Sequence, residues 1–129
     1  MLNQTAIYAI RAMGFLAEQD SEKPILSSTI ASEMKIPHNF LSKILNRLAQ
    51  AGLVLATRGR GGGVTLARPK SDIVLYEVVE SFMKIDDFKL CLLGMEKCNR
   101  QCGLHLRWRI ISNQFEKMLN ETTIDQVIK

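Results

Sequence analysis

The chain has 129 residues, of which 47% are apolar, and a formal net charge of +4. This is the length of one domain with at most a short appendage, and the apolar fraction is large enough to form a buried core. It excludes a disordered chain, since such chains are poor in apolar residues. No run reaches the roughly 18 apolar residues of a membrane span, and no signal peptide is visible, so we expect a cytoplasmic protein.

The positive charge is concentrated in one stretch of the chain. Residues 24–70 contain seven basic residues and one acidic residue, a net charge of +6, whereas residues 71–129 contain eight basic and nine acidic residues, a net charge of −1. A local excess of Lys and Arg is what binding to a polyanion requires, because these side chains neutralise phosphates and release counterions. The charge therefore favours a nucleic-acid partner, with a solvated basic face as the alternative.

Three helices are predicted in the first part of the chain. Apolar residues repeat at helical spacing over residues 4–18. Ser27 or Ser28 can cap a second, short helix, which ends before Pro37 because the residue preceding a proline avoids helical geometry. A third helix is predicted over residues 38–51 and is followed by Gly52 as a left-handed cap. Its inner stripe consists of Leu41, Ile44, Leu45 and Leu48.

A β-hairpin and two further helices are predicted next. Two β-branched runs, residues 53–57 and 64–67, flank a glycine-rich tip that carries Arg58 and Arg60. A fourth helix is predicted over residues 75–83, and the aperiodic residues 86–101 predict a loop. A final amphipathic helix of about four turns is marked by Leu104, Trp108, Ile111, Phe115 and Met118.

Helix, helix, turn, helix and hairpin is the order of a winged helix-turn-helix, a mainly α fold with a small β-hairpin wing. The third helix is then the recognition helix in the major groove, and the arginines of the tip can enter a minor groove. An ordinary solvated helix face is the alternative, and a nucleotide-binding loop is disfavoured because no GxxxxGK[ST] pattern is present. The predicted DNA-binding residues are Ser28, His38, Asn39, Phe40, Ser42, Lys43, Arg47, Arg58 and Arg60.

All three cysteines fall within twelve residues, at Cys91, Cys98 and Cys102, and His105 follows closely. Thiolates are soft ligands that suit iron–sulfur clusters, zinc or cuprous ion, and histidine is an attested cluster ligand. The alternative is that the cysteines are small buried apolar residues. Clustering in a polar stretch favours a metal site, with iron–sulfur and zinc both open at this point.

The chain resembles the Rrf-two family of bacterial regulators. The resemblance is carried by residues 51–54, Arg58-Gly59, Gly61-Gly62-Gly63 and residues 66–69, and it continues through Tyr8-Ala9 and residues 77–80. Val64 departs from the family, which usually has an aromatic residue there. The resemblance implies a homodimer that binds an inverted-repeat DNA operator, with the long C-terminal helix as the dimer interface.

The resemblance also implies an iron–sulfur cluster in the cysteine segment. In the IscR-like members three cysteines and a following histidine hold a two-iron, two-sulfur cluster, and His105 matches that position. In the NsrR-like members an acidic residue of the first helix is the fourth ligand, but Ile7 stands there and cannot coordinate. The spacing between Cys98 and Cys102 is shorter than is usual for the family.

The sequence thus predicts a DNA-binding transcription regulator, a repressor whose operator affinity is set by a cluster held by Cys91, Cys98, Cys102 and His105. The expected division is a DNA-binding domain (1–84), a cluster loop (85–103) and a dimerisation helix with a tail (104–129). The alternatives are a zinc-bound or thiol-redox regulator, and a protein–protein adaptor that does not bind DNA. An enzyme is not expected, since no nucleophile–base pair or paired carboxylates are found and Glu77 and Glu80 fit a helix surface.

Overall fold

The predicted mainly helical architecture with one hairpin is confirmed. A computed structural model describes residues 2–19, 23–89, 92–93 and 101–128. Its elements are α1 (Gln4–Glu18), α2 (Ser27–Met34), α3 (His38–Gln50), β1 (Val54–Thr57), β2 (Gly63–Leu66), α4 (Leu75–Glu80), a 3₁₀ helix (Ile85–Lys89), α5 (Gly103–Glu121) and a second 3₁₀ helix (Ile124–Gln126). Strands β1 and β2 pair antiparallel, with Ala56 opposite Val64. Among the described helices, none has both the length and the apolar character needed to cross a bilayer.

Helix α1 lies at the centre of the domain and packs against α2, α3 and α4. The side chain of Asn3 caps it by accepting a hydrogen bond from the Ala6 amide at 2.7 Å. The predicted inner stripe of α3 is buried as expected, with Leu41 and Leu48 both 0% exposed. Gly52 ends the α3 region with a φ of 77°, which confirms the predicted left-handed cap.

The predicted cap of α2 is wrong. Leu26 occupies the N-cap position without a side-chain hydrogen bond, and both Ser27 and Ser28 lie inside the first turn. The boundary is set instead by backbone pairing just before it. Ile25 donates its amide to the Val64 carbonyl at 3.0 Å and accepts from the Val64 amide at 2.8 Å, so the chain stays extended up to this point.

Helix α4 is shorter than predicted, ending at Glu80 rather than at residue 83. A turn follows, and residues 85–89 form a 3₁₀ helix where the sequence predicted the beginning of a loop. The reason is packing, because Ile85 is only 3% exposed and holds this segment on the core. The rest of the predicted loop lies largely outside the described residues, including Cys91 and Cys98.

The tail after α5 folds back onto the domain. The Leu75 amide donates to the Thr122 carbonyl at 2.8 Å, and the Ile124 amide donates to the Ile73 carbonyl at 2.9 Å. Ile124 is 0% exposed and shares one core with α1 and α3. A Cβ at Gly14 would lie 2.9 Å from Ile128 Cδ1, so the absence of a side chain in α1 makes room for the tail. The division of the chain at residues 84 and 103 stays a prediction.

The apolar stripe of α5 divides between two faces. Leu119 and the half-buried Phe115 pack on the core of their own domain, whereas Leu104, Ile111 and Met118 are 38%, 51% and 45% exposed. These three residues recur every seven positions and therefore lie nearly along one line of the helix. Self-packing accounts for one side of α5 and leaves the other side in solvent.

An ion pair joins the end of the hairpin to the start of α4. Arg68 Nη1 lies 2.7 Å from Glu77 Oε1, and Arg68 Nη2 donates to the Asp72 carbonyl at 2.7 Å. Glu77 Oε2 also accepts from the Val74 amide at 3.1 Å, satisfying one orphan donor of the short helix. The hydrogen bond from Arg68 lowers the pKa of Glu77 against the opposing effect of burial. Arg68 is therefore a structural cation rather than part of the basic surface.

Replacing Glu77 with Gln is expected to destabilise the fold in a pH-dependent way. The folded-state pKa of Glu77 is lowered, so its contribution is fully present above the ordinary value of 4.5 and is lost as the pH falls through the folded pKa. At pH 7 the free energy of unfolding should fall by about 1 kcal/mol, because the pair is partly exposed. Urea unfolding from pH 7 to pH 3 measures this, with the exposed Glu80→Gln as the control. A difference from wild type that does not shrink as the pH falls below 4.5 would contradict this account.

Candidate nucleic-acid interface and cysteine site

The outer face of α3 carries hydrogen-bonding side chains. Asn39, Lys43, Asn46 and Gln50 are exposed and lie opposite the buried stripe. Ser42 and Arg47 flank them on either side, and Ser42 is half-buried. The face offers amide, hydroxyl and ammonium groups along about three turns, which are the groups that read base edges and bind phosphate.

The start of α3 lies against the start of α2. Ser27 Oγ and His38 Nε2 are 3.5 Å apart, and Ser42 Oγ donates to the His38 carbonyl at 3.1 Å. Ser28 is exposed in the first turn of α2, and Phe40 is 51% exposed in the first turn of α3. Ser28, His38 and Phe40 thus lie at the same end of the helix pair.

The wing depends on two glycines that leave no space for a side chain. A Cβ at Gly62 would lie 2.4 Å from the Thr57 carbonyl oxygen, and a Cβ at Gly63 would lie 2.6 Å from the Ile25 oxygen. Gly63 also has a φ of 149°. The turn therefore closes tightly on itself and on the segment before α2. Arg58 and Arg60 are both exposed at its tip.

Helix α3 and the wing line a common cleft of about 320 Å³, which we call the wing cleft. Ser42 and Asn46 line it from α3, and Thr57 and Gly59 line it from the wing. The predicted DNA-binding residues include neither Asn46 nor Thr57, and for Thr57 the available signal was its position immediately before Arg58. The wing cleft brings the predicted recognition helix and the predicted wing to one surface.

A second groove, which we call the flank groove, lies on the opposite flank of α3. It has a volume of about 390 Å³, and its lining includes Phe40, Lys43 and Arg47 from α3 and Ser81 and Phe82 from the turn after α4. Arg47 Nε donates to the Ser81 carbonyl at 2.9 Å across this groove. Sequence reasoning predicted Arg47 as a DNA contact and missed this bond, because Ser81 is 34 residues away.

Two of the four predicted metal ligands fall within the described residues, on the first turn of α5. Cys102 is the N-cap, and its Sγ accepts from the His105 amide at 3.3 Å. Both side chains line a small cavity of about 10 Å³, whose other walls are Leu92, Leu93 and Leu104. Cys102 is exposed rather than a buried apolar residue. Within the described residues, no group of three possible metal ligands comes together.

Comparisons with known proteins agree with this architecture. The sequence matches, over residues 2–129, the family described as Rrf2, iron-dependent transcriptional regulator, which is the Rrf-two family. Protein aau3 of Rhizobium meliloti is 36% identical over 132 residues, covering 99% of this chain and 84% of that protein. IscR of Pectobacterium atrosepticum, an HTH-type transcriptional regulator, is 30% identical over 123 residues, covering 94% and 74%.

Two solved structures share the fold. The structure of T. potens IscR superposes with a TM-score of 0.78 at 22% identity and covers 98% of this chain and 84% of its own. CymR, described as the global cysteine regulator of B. subtilis, superposes with a TM-score of 0.84 at 21% identity and covers 98% and 95%. At these identities the two structures establish the fold, and the predicted winged helix-turn-helix is confirmed.

Proposed function

Because the chain belongs to the Rrf2 family of DNA-binding transcription regulators, and is not an enzyme, we propose that it is a repressor whose operator affinity is set by an iron–sulfur cluster. In this proposal it acts in the cytoplasm as a homodimer on an inverted-repeat operator. Its reading surface consists of the outer face of α3, Ser28 and His38 at the helix starts, and Arg58 and Arg60 of the wing.

The wing cleft is the observation that carries the DNA-reading part of this proposal. Ser42 and Asn46 share it with Thr57 and Gly59, so one duplex can contact α3 and the wing together. Asn39 and Asn46 are suited to adenine and Lys43 to guanine or phosphate. The exposed arginines of the thin tip fit a minor groove, where the negative potential of the duplex is strongest when the groove is narrow.

Lys43→Ala and Arg58→Ala should each weaken binding to duplex DNA and make it less dependent on salt. Each variant removes one phosphate-neutralising charge per subunit, so the slope of log affinity against log salt should fall in magnitude by about 1 per subunit. The double variant should lose about 2 per subunit. Fluorescence anisotropy at roughly 50 to 300 mM KCl measures the slopes.

Lys117→Ala is the matched control, since it removes the same charge from α5 and should leave the slope unchanged. The adaptor alternative predicts a different result. If the wild-type protein binds no duplex, or binds without salt dependence, the adaptor is favoured over the regulator.

The uncovered side of α5 supports the dimer. Leu104, Ile111 and Met118 form a seven-residue repeat on a 19-residue helix and are exposed to solvent in the single chain. An apolar line of this kind is typical of a helix that packs on a copy of itself, because a two-fold axis pairs the same residues from both subunits. The half of the stripe that includes Phe115 and Leu119 is already occupied by its own domain.

Ile111→Asp should convert the dimer to a monomer. Placing a carboxylate in an apolar interface costs about 3 kcal/mol, which raises the dissociation constant by about 100-fold. Sedimentation velocity at micromolar concentration measures the mass. Asn113→Asp is the control, since it adds the same charge at an exposed position on the other side of α5. A mass that is the same for both variants and the wild type would argue against this interface.

The chemistry of the first turn of α5 fits one end of a cluster site. Cys102 stands at the N-terminus of α5, and its Sγ accepts a hydrogen bond from the His105 amide. Amide hydrogen bonds to ligating sulfurs also tune cluster potential. Three leucines, Leu92, Leu93 and Leu104, line the same cavity. Cys91, Cys98, Cys102 and His105 would hold the cluster, which would supply a redox-sensitive and labile link between them.

Zinc binding and thiol oxidation use the same cysteines and remain the alternatives. Both alternatives keep the reading surface and change only what the cysteine segment senses.

Protein purified without oxygen should contain iron and acid-labile sulfide and show visible charge-transfer bands. Cys91→Ala, Cys98→Ala and Cys102→Ala should each abolish most of the iron, because a cluster rarely survives loss of a thiolate ligand. His105→Ala should shift the bands or lower the iron content. Zinc without bands would point to the zinc regulator, and a disulfide with no metal would point to the thiol-redox regulator. Iron that persists without all three thiols would overturn the cluster proposal.

A further inference from the structure

The flank groove separates α3 from the turn that follows α4. Helix α3 packs mainly against α1, α2 and β1, and α4 packs mainly against α1 and α5. Between α3 and residues 81–82 the surface is indented by this solvent-open groove of about 390 Å³. Close packing normally fixes how two elements sit relative to each other. On this side of α3 an open groove lies in place of a second packed layer.

Arg47 bridges this space. Its Nε donates to the Ser81 carbonyl at 2.9 Å, so the guanidinium spans from α3 to the α4 turn. The Nε–H and one Nη–H together form a side edge of the guanidinium that can donate two hydrogen bonds to a guanine. Because the Nε–H is already bonded to Ser81, this edge cannot make both of them. The bond therefore points to a role for Arg47 different from that of its neighbour Lys43, which lies one turn earlier on the same flank.

We propose that Arg47 is a positioning residue, whose bond to the Ser81 carbonyl sets the orientation of α3 relative to the rest of the domain and thereby its fit to a specific base sequence. The inference rests on the proposed DNA-reading function of α3. Ser81 leads through Phe82 and Met83 to the 3₁₀ helix, which packs against α5. The same bond thus connects the recognition helix to α5, whose N-cap is Cys102.

Arg47→Lys separates this role from charge. Lysine keeps the positive charge but has a methylene where arginine has Nε, so the donor to Ser81 is lost at that position. Lys43→Met is the matched control, since it removes a charge from the same flank. The probes are a duplex selected from a random library by the wild-type protein and a scrambled duplex of the same composition.

For Arg47→Lys we expect affinity for the selected duplex to fall about tenfold, while affinity for the scrambled duplex and the salt slope stay unchanged. For Lys43→Met we expect both affinities to fall together and the slope to fall by about 1 per subunit. An Arg47→Lys protein that keeps its preference for the selected duplex, or that loses affinity for both duplexes in parallel, overturns the inference.

Hydrogen exchange of the DNA-free protein tests the bond independently of DNA binding. Arg47→Lys should speed exchange of the Ser81, Phe82 and Met83 amides, which close the turn after α4. Lys43→Met should not. Unchanged exchange in Arg47→Lys would overturn the inference even if the wild-type protein bound no DNA, whereas absence of DNA binding with altered exchange would count against the proposed function alone.

Discussion

The approach of the wing to the segment before α2 determines the geometry of the reading surface. Ile25 and Val64 exchange both backbone hydrogen bonds, which makes Ile25 a one-residue third strand beside β2. The approach is possible only because residue 63 has no side chain, since a Cβ there would meet the Ile25 backbone at 2.6 Å. With this pairing in place the wing lies beside α3 and the wing cleft exists. A hairpin without the pairing between Ile25 and Val64 could move away from α3.

The local structure of the chain was largely predictable. The bounds of α1, the buried stripe of α3 and the hairpin follow from periodicity and from Gly, which act over a few residues. The start of α2 was not predictable in this way. Two serines indicated a cap, but extended pairing of Ile25 with a residue nearly forty positions later placed the boundary at Leu26. A long-range contact overrode a local preference.

The errors about the candidate site have the same origin. Arg68 counted as part of a basic stretch, yet Glu77 neutralises it, and only the folded chain brings the two together. The apolar stripe of α5 was read as one face, but periodicity does not show which neighbour each residue meets. The structure places Phe115 on its own domain and leaves Ile111 exposed. His105 was expected at the start of the last helix, just beyond the cluster loop, and it stands on the first turn of α5.

The tail that packs on α1 gives α5 a fixed end and a distant end. The helix is held at its C-terminus by the pairing of Thr122 and Ile124 with the segment before α4, and Cys102 stands at the other end. A helix of 19 residues is roughly 28 Å long. By this geometry, a tilt of about 5° about the tail would displace the Cys102 end by about 2 Å. Conversely, a displacement of about 2 Å at the Cys102 end would rotate the helix by only about 5° at the tail, beside α1.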